Sequence, residues 1–383
     1  MLKTFITTKL IQLVIFNYAP SQFDNSSSLI DNPSSLSVSL TQFLHRFIVW
    51  DNVYFFNLFH NNPEFEHEFV FSPGWVSFIR FIKSKFGTEG YYNGILVSLL
   101  VSNLLQLATS YILYYFTIKV FKNFGFFPNY KRISYLTGVY YLLSSGGIFL
   151  TAGYSENLAS FLSISGLYLR ELGLSYTLNT YQIRKWHWYL ISGVFIGLSF
   201  SVRANCLLLG IVYLYDLYHF QVSPEGFLSI IGGMPLFLNL LISNYNLYKI
   251  FCPGREWCDS SIPSLFSYCQ SAYWNNGFLS YWTPNNIPNF LLAFPSIAVN
   301  FLASIEFVTR YPVKLMIPYS ILNMLTLAGG VFFWNVQILN RILNFNPIVF
   351  WYLGATNNQW VAKGLLLWTY FQSGLFGSFL PPA

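Results

Sequence analysis

Charged residues are scarce in this sequence of 383 residues, where Asp, Glu, Lys and Arg together make up 9%. A water-soluble domain carries about a quarter charged residues, so this class is excluded. Hydrophobic residues reach 54% and aromatic residues 21%, which indicates a surface that largely faces lipid. Since each helical span needs roughly 20 apolar residues, the length allows about ten spans. The composition therefore predicts an all-α polytopic helical membrane protein.

The chain also lacks the short motifs by which soluble enzymes hold nucleotides, zinc or a nucleophilic serine. The patterns GxGxxG, Walker A, HExxH and GxSxG are all absent. Nucleotide-driven chemistry on the cytosolic face is therefore not expected. The net charge of +6 is distributed in small groups between apolar stretches. Without a basic stripe or arm, nucleic acid is not an expected partner.

Cysteine is limited to four residues, and three of them, Cys252, Cys258 and Cys269, fall in one polar stretch. In an oxidising compartment, Cys252 and Cys258 can close a small loop as a disulfide. A metal site is the weaker alternative, because no histidine or second close cysteine pair lies nearby. The sequence leaves the pairing open.

Basic residues between the apolar stretches indicate the orientation of the chain. Basic groups at 119–132, 170–185 and 310–314 fall at alternate loops, which places them in the cytosol under the positive-inside rule. The opposite side then holds a first large loop (20–88), a cysteine-bearing loop (250–288) and several isolated charges, all within one membrane-embedded domain, 1–383. The predicted spans are 1–19 (taken as uncleaved), 91–118, 133–154, 157–169, 188–202, 207–220, 227–248, 290–308, 315–336 and 363–380, with 75–86 and 348–353 as interfacial helices.

Ionisable residues at membrane depth are costly and are functional candidates by default. Asp51 follows Trp50 and precedes an aromatic run, which suits a general base, although Asp is also a common helix N-cap. Arg203 lies between two apolar runs. It suits a phosphate through bidentate hydrogen bonds, or an ion pair with Glu156 or another acid. Both alternatives stay open for each residue.

Glu66-His67-Glu68 forms a second candidate group in the first large loop. Two acids and a histidine can bind a metal or share proton transfer. The alternative is a solvated turn before an interfacial helix. Glu156 stands where a predicted span meets the non-cytosolic side, and carboxylates reach back to water poorly there.

Several segments in register resemble the PIG-V family of GPI mannosyltransferases. They are Trp50-Asp51, Phe65-Glu66-His67-Glu68-Phe69-Val70-Phe71-Ser72-Pro73-Gly74, Thr151-Ala152-Gly153-Tyr154-Ser155-Glu156-Asn157, Ser201-Val202-Arg203-Ala204-Asn205, Tyr273-Trp274-Asn275-Asn276-Gly277-Phe278 with Pro288-Asn289-Phe290, and Val336-Gln337-Ile338-Leu339-Asn340-Arg341. They occur in the family's order and cover nearly the whole chain. Glu68 departs from the family, which often has Asn at this position.

The resemblance implies a GT-C type glycosyltransferase of the endoplasmic reticulum membrane with its active site facing the lumen. Such an enzyme takes mannose from dolichol-phosphate-mannose and adds the second mannose, α1,6-linked, to the GPI anchor precursor. It also implies a small membrane partner subunit. No cofactor is expected, since a lipid monophosphate can be held by arginine, although a divalent metal stays an alternative.

This reaction assigns roles to the candidate residues. A carboxylate must accept the proton of the attacking hydroxyl; Asp51 is the first choice, with Glu66 and Glu68 as alternatives. Positive charge must stabilise the leaving phosphate, for which Arg203 and Arg341 are the candidates. The remaining predicted substrate-binding residues are Trp50, His67, Glu156, Trp274 and Asn275.

Other functions are compatible with buried charges in a membrane protein. A transporter or lipid scramblase is one alternative, although the chain shows no internal repeat of the kind transporters have. A non-catalytic scaffold is another. A third is a different lumenal dolichol-phosphate-sugar transferase, because a fold alone does not specify the substrate.

Overall fold

The computed structural model describes the chain except for residues 21, 25, 26, 28, 29, 31, 32, 125, 126, 178, 179, 312, 313, 382 and 383. The helices are α1 (Leu2–Asn17), α2 (Val38–His45), α3 (Asn52–Leu58), α4 (Glu66–Phe69), α5 (Pro73–Phe86), α6 (Tyr91–Phe124), α7 (Tyr130–Leu142), α8 (Glu156–Gly173), α9 (Trp186–Val202), α10 (Ile211–Phe220), α11 (Pro224–Phe251), α12 (Leu265–Ala272), α13 (Ile287–Thr309), α14 (Met316–Phe332), α15 (Leu339–Ile342), α16 (Ile348–Thr356) and α17 (Gln359–Gly377). Short 3-10 turns lie at Gly147–Leu150, Ala204–Gly210, Glu256–Asp259, Pro284–Asn286, Val336–Ile338 and Leu343–Phe345. Two short strands, β1 (Leu174–Thr177) and β2 (Thr180–Ile183), pair antiparallel with Ser175 opposite Gln182.

Long apolar helices dominate the described part of the chain and confirm the predicted all-α membrane architecture. Three stretches are long and apolar enough to cross a membrane: Tyr91–Asn123, Pro224–Phe251 and Pro284–Thr309. The apolar helices Trp186–Val202 and Met316–Phe332 are shorter. The count of about ten spans stays a prediction.

The central packing unit is formed by α6, α8, α9 and α11, in which α8 lies between α6 and α9 and α9 packs in turn on α11. Small residues permit a close approach between α9 and α11: a Cβ added at Gly193 would lie 2.0 Å from the carbonyl oxygen of Gly232. In a second group of contacts, α7 packs on α16 and α1 packs on α17. The first helix is therefore part of the core, with Lys9, Gln12 and Phe16 buried.

Two predicted segments differ from the structure. The predicted span 133–154 is helical only to Leu142, and Gly147, with a positive φ of 46°, begins a separate 3-10 turn five residues later. The segment 348–353, expected at the membrane interface, forms α16 inside the core, where Phe350 and Trp351 are buried. The helix expected at 75–86 is present as α5, with Trp75 buried and Phe86 exposed.

Arg170 is the largest departure from the predicted topology. Expected in a solvated basic loop with Arg184 and Lys185, it is instead fully buried at the end of α8, while Arg184 and Lys185 are exposed. Its Nε donates to Asp216 Oδ2 at 2.8 Å and its Nη1 to Glu171 Oε1 at 2.7 Å. Four tyrosine hydroxyls complete this buried cluster by donating to the two carboxylates: Tyr176, Tyr181, Tyr189 and Tyr319.

Candidate active site

Asp51 lies at the start of α3, in the N-cap position that the sequence allowed, but its side chain makes no capping hydrogen bond. Its Oδ2 instead accepts from Arg341 Nη2 at 2.7 Å, and the side chain is 37% exposed. The residue before it, Trp50, has a positive φ of 53°. A bulky residue in the left-handed region costs about 1–3 kcal/mol and occurs mainly at functional sites. The strained turn thus directs an accessible carboxylate towards a cation.

Glu156 is the first residue of α8 and supplies the second carboxylate of the site. Its Oε1 accepts from Arg341 Nε at 2.9 Å and from Arg203 Nη1 at 3.0 Å. The side chain is 1% exposed, unlike that of Asp51. Its other oxygen, Oε2, is buried without a hydrogen-bond partner in the described part of the chain. An unpaired buried carboxylate oxygen is costly and marks a position where a ligand group can be bound.

Arg341 connects the two carboxylates from α15. Its guanidinium also lies over the rings of Phe149 and Tyr154, 4.3 Å and 5.0 Å from their centroids. Burial alone would lower the pKa of Arg341, but Glu156 and then Asp51 outweigh it, so that the pKa is raised above its ordinary value. Arg341 is therefore a permanent cation at this position.

Arg203 follows α9 and completes the site from the other side. Of the two alternatives drawn from the sequence, the structure shows the ion pair with Glu156. Arg203 Nη1 also donates to Ser155 Oγ at 3.2 Å. The hydroxyl of Ser72, which precedes α5, lies 3.0 Å from Ser155 Oγ and 2.8 Å from the carbonyl oxygen of Val202. These serines join three chain segments around the charges.

Together, Asp51, Glu156, Arg203 and Arg341 form a charge network with two carboxylates and two guanidiniums, formally neutral. A cavity of about 10 Å³ lies between Glu156, Arg203 and Arg341, with Asn205 and the apolar Phe345 in its wall. That is room for about one water-sized group. The cavity therefore has two guanidiniums and the Glu156 carboxylate in its lining, and Asp51 lies outside that lining.

Glu66, His67 and Glu68 lie in α4, and their side chains take different partners. Glu66 contacts the cysteine-bearing loop through Tyr273 Oη at 3.3 Å and Arg255 Nε at 3.2 Å. Glu68 Oε2 accepts from the backbone N–H groups of residues 64 and 65. The His67 ring lies 5.5 Å from that of Tyr54 and 5.3 Å from that of Tyr273. The two acids thus hold local structure, and neither joins the charge network.

The cysteine-bearing loop packs against α4 and includes the Cys252–Cys258 disulfide, the pairing that the sequence analysis considered against a metal site. Trp257 is buried beside the disulfide, and its Nε1 donates to Glu66 Oε1 at 3.4 Å. Trp274 lies 6.3 Å from the ring of Phe71, and Asn275 is exposed after α12. Neither reaches the charge network, so their predicted role in substrate binding stays a prediction.

No three His, Cys, Asp or Glu side chains are grouped for metal binding within the described residues. The expectation that the reaction needs no metal is not tested by this arrangement. The predicted role of Trp50 in substrate binding is also untested; its ring lies 5.4 Å from that of Phe379.

Sequence reasoning missed the polar residues that fix the segment carrying Glu156. Lys9 Nζ donates to Thr151 Oγ1 at 2.6 Å, and Thr151 Oγ1 donates to Gln12 Oε1 at 3.0 Å. Lys9 and Gln12 lie on α1, so the first helix supports the residues directly before Glu156. The sequence did contain a signal for this contact, because Lys9 is a lysine inside an apolar helix and such a charge is costly in lipid unless it has partners.

Gly153 offers a test of how tightly this segment is held. Its φ is +79°, an added Cβ would lie 2.7 Å from Ser98 Oγ, and its carbonyl accepts from Trp75 Nε1 at 3.1 Å. We expect Gly153→Ala to cost about 1–2 kcal/mol through backbone strain. Transfer activity should fall roughly tenfold or more, since shifts near 1 Å reduce catalysis on that scale.

The measurement is initial transfer rate in microsomes at equal protein level. Gly233→Ala is the matched control, because Gly233 is helical and an added Cβ makes only an ordinary 3.6 Å contact with Tyr213. Equal rates for the two variants would show that the backbone at Gly153 does not position the site.

Comparison with known proteins identifies close relatives over the whole chain. The family model described as "Mannosyltransferase (PIG-V)" matches residues 1–324. GPI mannosyltransferase 2 of Candida albicans is 42% identical over 403 aligned residues, covering 100% of this chain and 99% of the relative. The Saccharomyces cerevisiae protein of the same name is 34% identical, with 99% and 98% covered.

A solved structure supports the fold independently. The Archaeoglobus fulgidus oligosaccharyltransferase tethered with an acceptor peptide matches with a TM-score of 0.52 and 12% sequence identity. The match covers 98% of this chain and 55% of that protein, so the chain spans about half of its length. At this identity the likeness concerns the fold alone, and it confirms the predicted GT-C architecture.

With a family match over most of its length and full-length relatives above 30% identity, this chain belongs to the PIG-V mannosyltransferase family.

Proposed function

We propose that this protein adds the second mannose, in α1,6 linkage, to the GPI anchor precursor, and that the donor is dolichol-phosphate-mannose on the lumenal side of the endoplasmic reticulum membrane. Family membership and the names of the relatives support mannosyl transfer to this glycolipid. The observation that carries the proposal is the charge network, in which the accessible carboxylate of Asp51 pairs with Arg341 and the buried Glu156 joins Arg341 to Arg203.

The proposed reaction is a single in-line displacement. The acceptor hydroxyl oxygen attacks the anomeric carbon of mannose and forms the new C–O bond. The bond from that carbon to the phosphate oxygen breaks, and its electron pair leaves with dolichyl phosphate. Asp51 accepts the proton of the acceptor hydroxyl. One displacement inverts the anomeric carbon, which takes a β-linked donor to an α-linked product, as in inverting glycoside chemistry.

The arginines supply the positive charge that the leaving phosphate needs. Phosphate and guanidinium form bidentate, charge-assisted hydrogen bonds, and preorganised donors of this kind stabilise developing charge. In the structure, Arg341 contacts Asp51, which is the more exposed of its two carboxylate partners. A phosphate that binds Arg341 would displace Asp51 and leave its carboxylate free for the acceptor hydroxyl. Donor binding would thus activate the base.

Glu156 has a different proposed role. Its buried, unpaired Oε2 and the small cavity beside it suit one hydroxyl group of the transferred mannose. Glu156 Oε1 meanwhile holds both arginines in place. No metal or organic cofactor is part of this mechanism. A small partner subunit in the endoplasmic reticulum membrane stays a prediction from the family resemblance.

A donor-exchange assay tests the proposed reaction. Microsomes from cells that lack their own enzyme, but express this chain, receive the single-mannose GPI precursor and radiolabelled dolichol-phosphate-mannose. We expect label to enter a two-mannose product, from which an α1,6-specific mannosidase releases it. GDP-mannose, with dolichol-phosphate-mannose synthesis blocked, should give no product because the chain has no nucleotide-binding motif.

Two outcomes contradict the proposal. If GDP-mannose alone supports the reaction, the lipid donor is wrong. If the labelled bond resists the α1,6-specific enzyme, or a different precursor is extended, the chain is another lumenal sugar transferase with the same fold.

A further inference from the structure

Four aromatic side chains form a group near Asp51 that has no role in the proposed reaction. They are Tyr54 of α3, Phe65 directly before α4, His67 of α4, and Tyr273 directly after α12. Tyr54, Phe65 and Tyr273 are 43%, 62% and 50% exposed, although large aromatic rings usually lie in a core. This group is the aromatic platform.

His67 joins the members of the aromatic platform to one another. Its ring lies 5.5 Å from that of Tyr54 and 5.3 Å from that of Tyr273. The ring of Phe65 stacks on it at 5.9 Å with an interplanar angle of 11°. Tyr273 is held from its other end as well, because its hydroxyl donates to Glu66 Oε2 at 3.3 Å. The first large loop and the cysteine-bearing loop therefore present these rings as one surface.

The platform begins one helical turn from the proposed base. Asp51 has helical backbone angles, with φ −57° and ψ −24°, and its carbonyl oxygen accepts from the Tyr54 backbone N–H at 3.1 Å. Side chains three residues apart on a helix share a face, with Cβ atoms about 5–6 Å from each other. Tyr54 thus lies next to a carboxylate that is itself accessible. A ligand on the platform has its nearest groups close to Asp51.

Polar side chains surround the aromatic rings. The segment between α3 and α4 carries four exposed polar residues, which are His60, Asn61, Asn62 and Glu64. On the cysteine-bearing loop, the partly exposed Arg255 pairs with Glu66 at 3.2 Å. Exposed rings within a polar rim are typical of an interaction site. A sugar matches this surface, since its C–H groups pack on ring faces and its hydroxyls bond to polar groups at the rim.

We propose that the aromatic platform binds the acceptor mannose, the sugar that carries the attacking hydroxyl, an inference that rests on the proposed function. The arginines are assigned to the donor phosphate, whereas the acceptor hydroxyl must lie within hydrogen-bond reach of Asp51. The platform is adjacent to Asp51 and has the mixed aromatic and polar character that a sugar needs. Its rings therefore determine affinity for the acceptor and not for the donor.

The test is Tyr54→Leu, assayed in microsomes with the concentration of single-mannose precursor varied. We expect the KM for the precursor to rise about tenfold, because the ring contact is lost while an apolar side chain remains. The kcat and the KM for dolichol-phosphate-mannose should stay near the wild-type values. Tyr54→Phe keeps the ring and should retain most of the acceptor affinity. Phe86→Leu is the matched control, since Phe86 is an exposed ring at the end of α5, outside the platform.

Tyr273→Leu separates acceptor binding from damage to α3. Tyr273 belongs to the other loop, so its loss should raise the KM for the precursor without disturbing the turn that carries Asp51. An unchanged KM for the precursor in both variants would overturn the proposal. So would a fall in kcat alone or a rise in the KM for the donor, because either result would mean that the rings only support the charge network.

Photo-cross-linking from position 65 reads the occupant directly and needs no transfer. With the donor withheld, a benzoyl-phenylalanine in place of Phe65 should form adducts with the single-mannose precursor, and fewer with the same precursor lacking mannose. Adducts with membrane phospholipid alone, or none with the precursor, would contradict the inference. If wild type transfers no mannose from dolichol-phosphate-mannose, the proposed function fails, and the cross-link still reports on the platform by itself.

Discussion

Replacement of Asp51 by Asn is expected to reduce mannose transfer by about 10²–10⁴-fold, the usual contribution of a general base. Asn keeps the size of the side chain and a contact with Arg341, but it cannot accept the proton. Arg341 retains Glu156 as an ion partner at 2.8 Å, so the fold should persist. Microsomes with this variant should accumulate the single-mannose precursor at a normal protein level.

Asp259→Asn is the matched control, because Asp259 is an exposed carboxylate in the cysteine-bearing loop. It should transfer at the wild-type rate. If Asp51→Asn also forms the two-mannose product at that rate, Asp51 has only a structural role. Glu66→Gln and Glu68→Gln would then be the next variants. Full activity without any of these carboxylates would mean that none of them is the base.

Asp216→Ala is expected to destabilise the protein by about 3–5 kcal/mol, the cost of breaking a buried, hydrogen-bonded ion pair by removing one partner. Arg170 would keep only Glu171, and the hydroxyls of Tyr181 and Tyr189 would lose the acceptor that they contact at 2.7 Å. The expected result is a marked fall in the unfolding temperature of the detergent-solubilised protein and in its steady-state level.

Glu306→Ala serves as the comparison for this second variant. Glu306 pairs with Arg310 at 2.9 Å, but the arginine side chain is 69% exposed. Exposed pairs contribute about 0–1 kcal/mol, so little change is expected. Similar unfolding temperatures for the two variants would mean that the buried cluster does not stabilise the fold.

The sequence was sufficient for the membrane class and for the residues of the charge network. Low charge content indicates the class, and the sequence analysis named Asp51, Glu156, Arg203 and Arg341 among its candidates. The Arg203–Glu156 ion pair was one of two stated alternatives for that arginine. The meeting of Asp51 with Arg341 joins residues that are 290 positions apart, which no local pattern specifies.

Arg170 shows why the rest was not predictable from the sequence. The positive-inside rule counts charges near the ends of spans and treats each as solvated. It does not register Asp216 in the middle of α10, which pairs with the cation, or the tyrosines that donate hydrogen bonds to this acid. The geometry of the site could not be predicted from the sequence for a similar reason. Trp50, directly before Asp51, has a positive φ, which no local pattern in the sequence specifies.

Helix α8 has one consequence for how the enzyme sits in its membrane. Its first residue, Glu156, belongs to the charge network, and Arg170, in its last turn, is fixed in the buried tyrosine cluster. At 1.5 Å per residue, these two anchor points are held about 21 Å apart by a rigid rod. The distance of the charge network from the buried tyrosine cluster is thus set by the protein and not by the lipid. Bilayers of different thickness should adapt to this fixed distance, and the two clusters should keep their spacing as membrane composition changes.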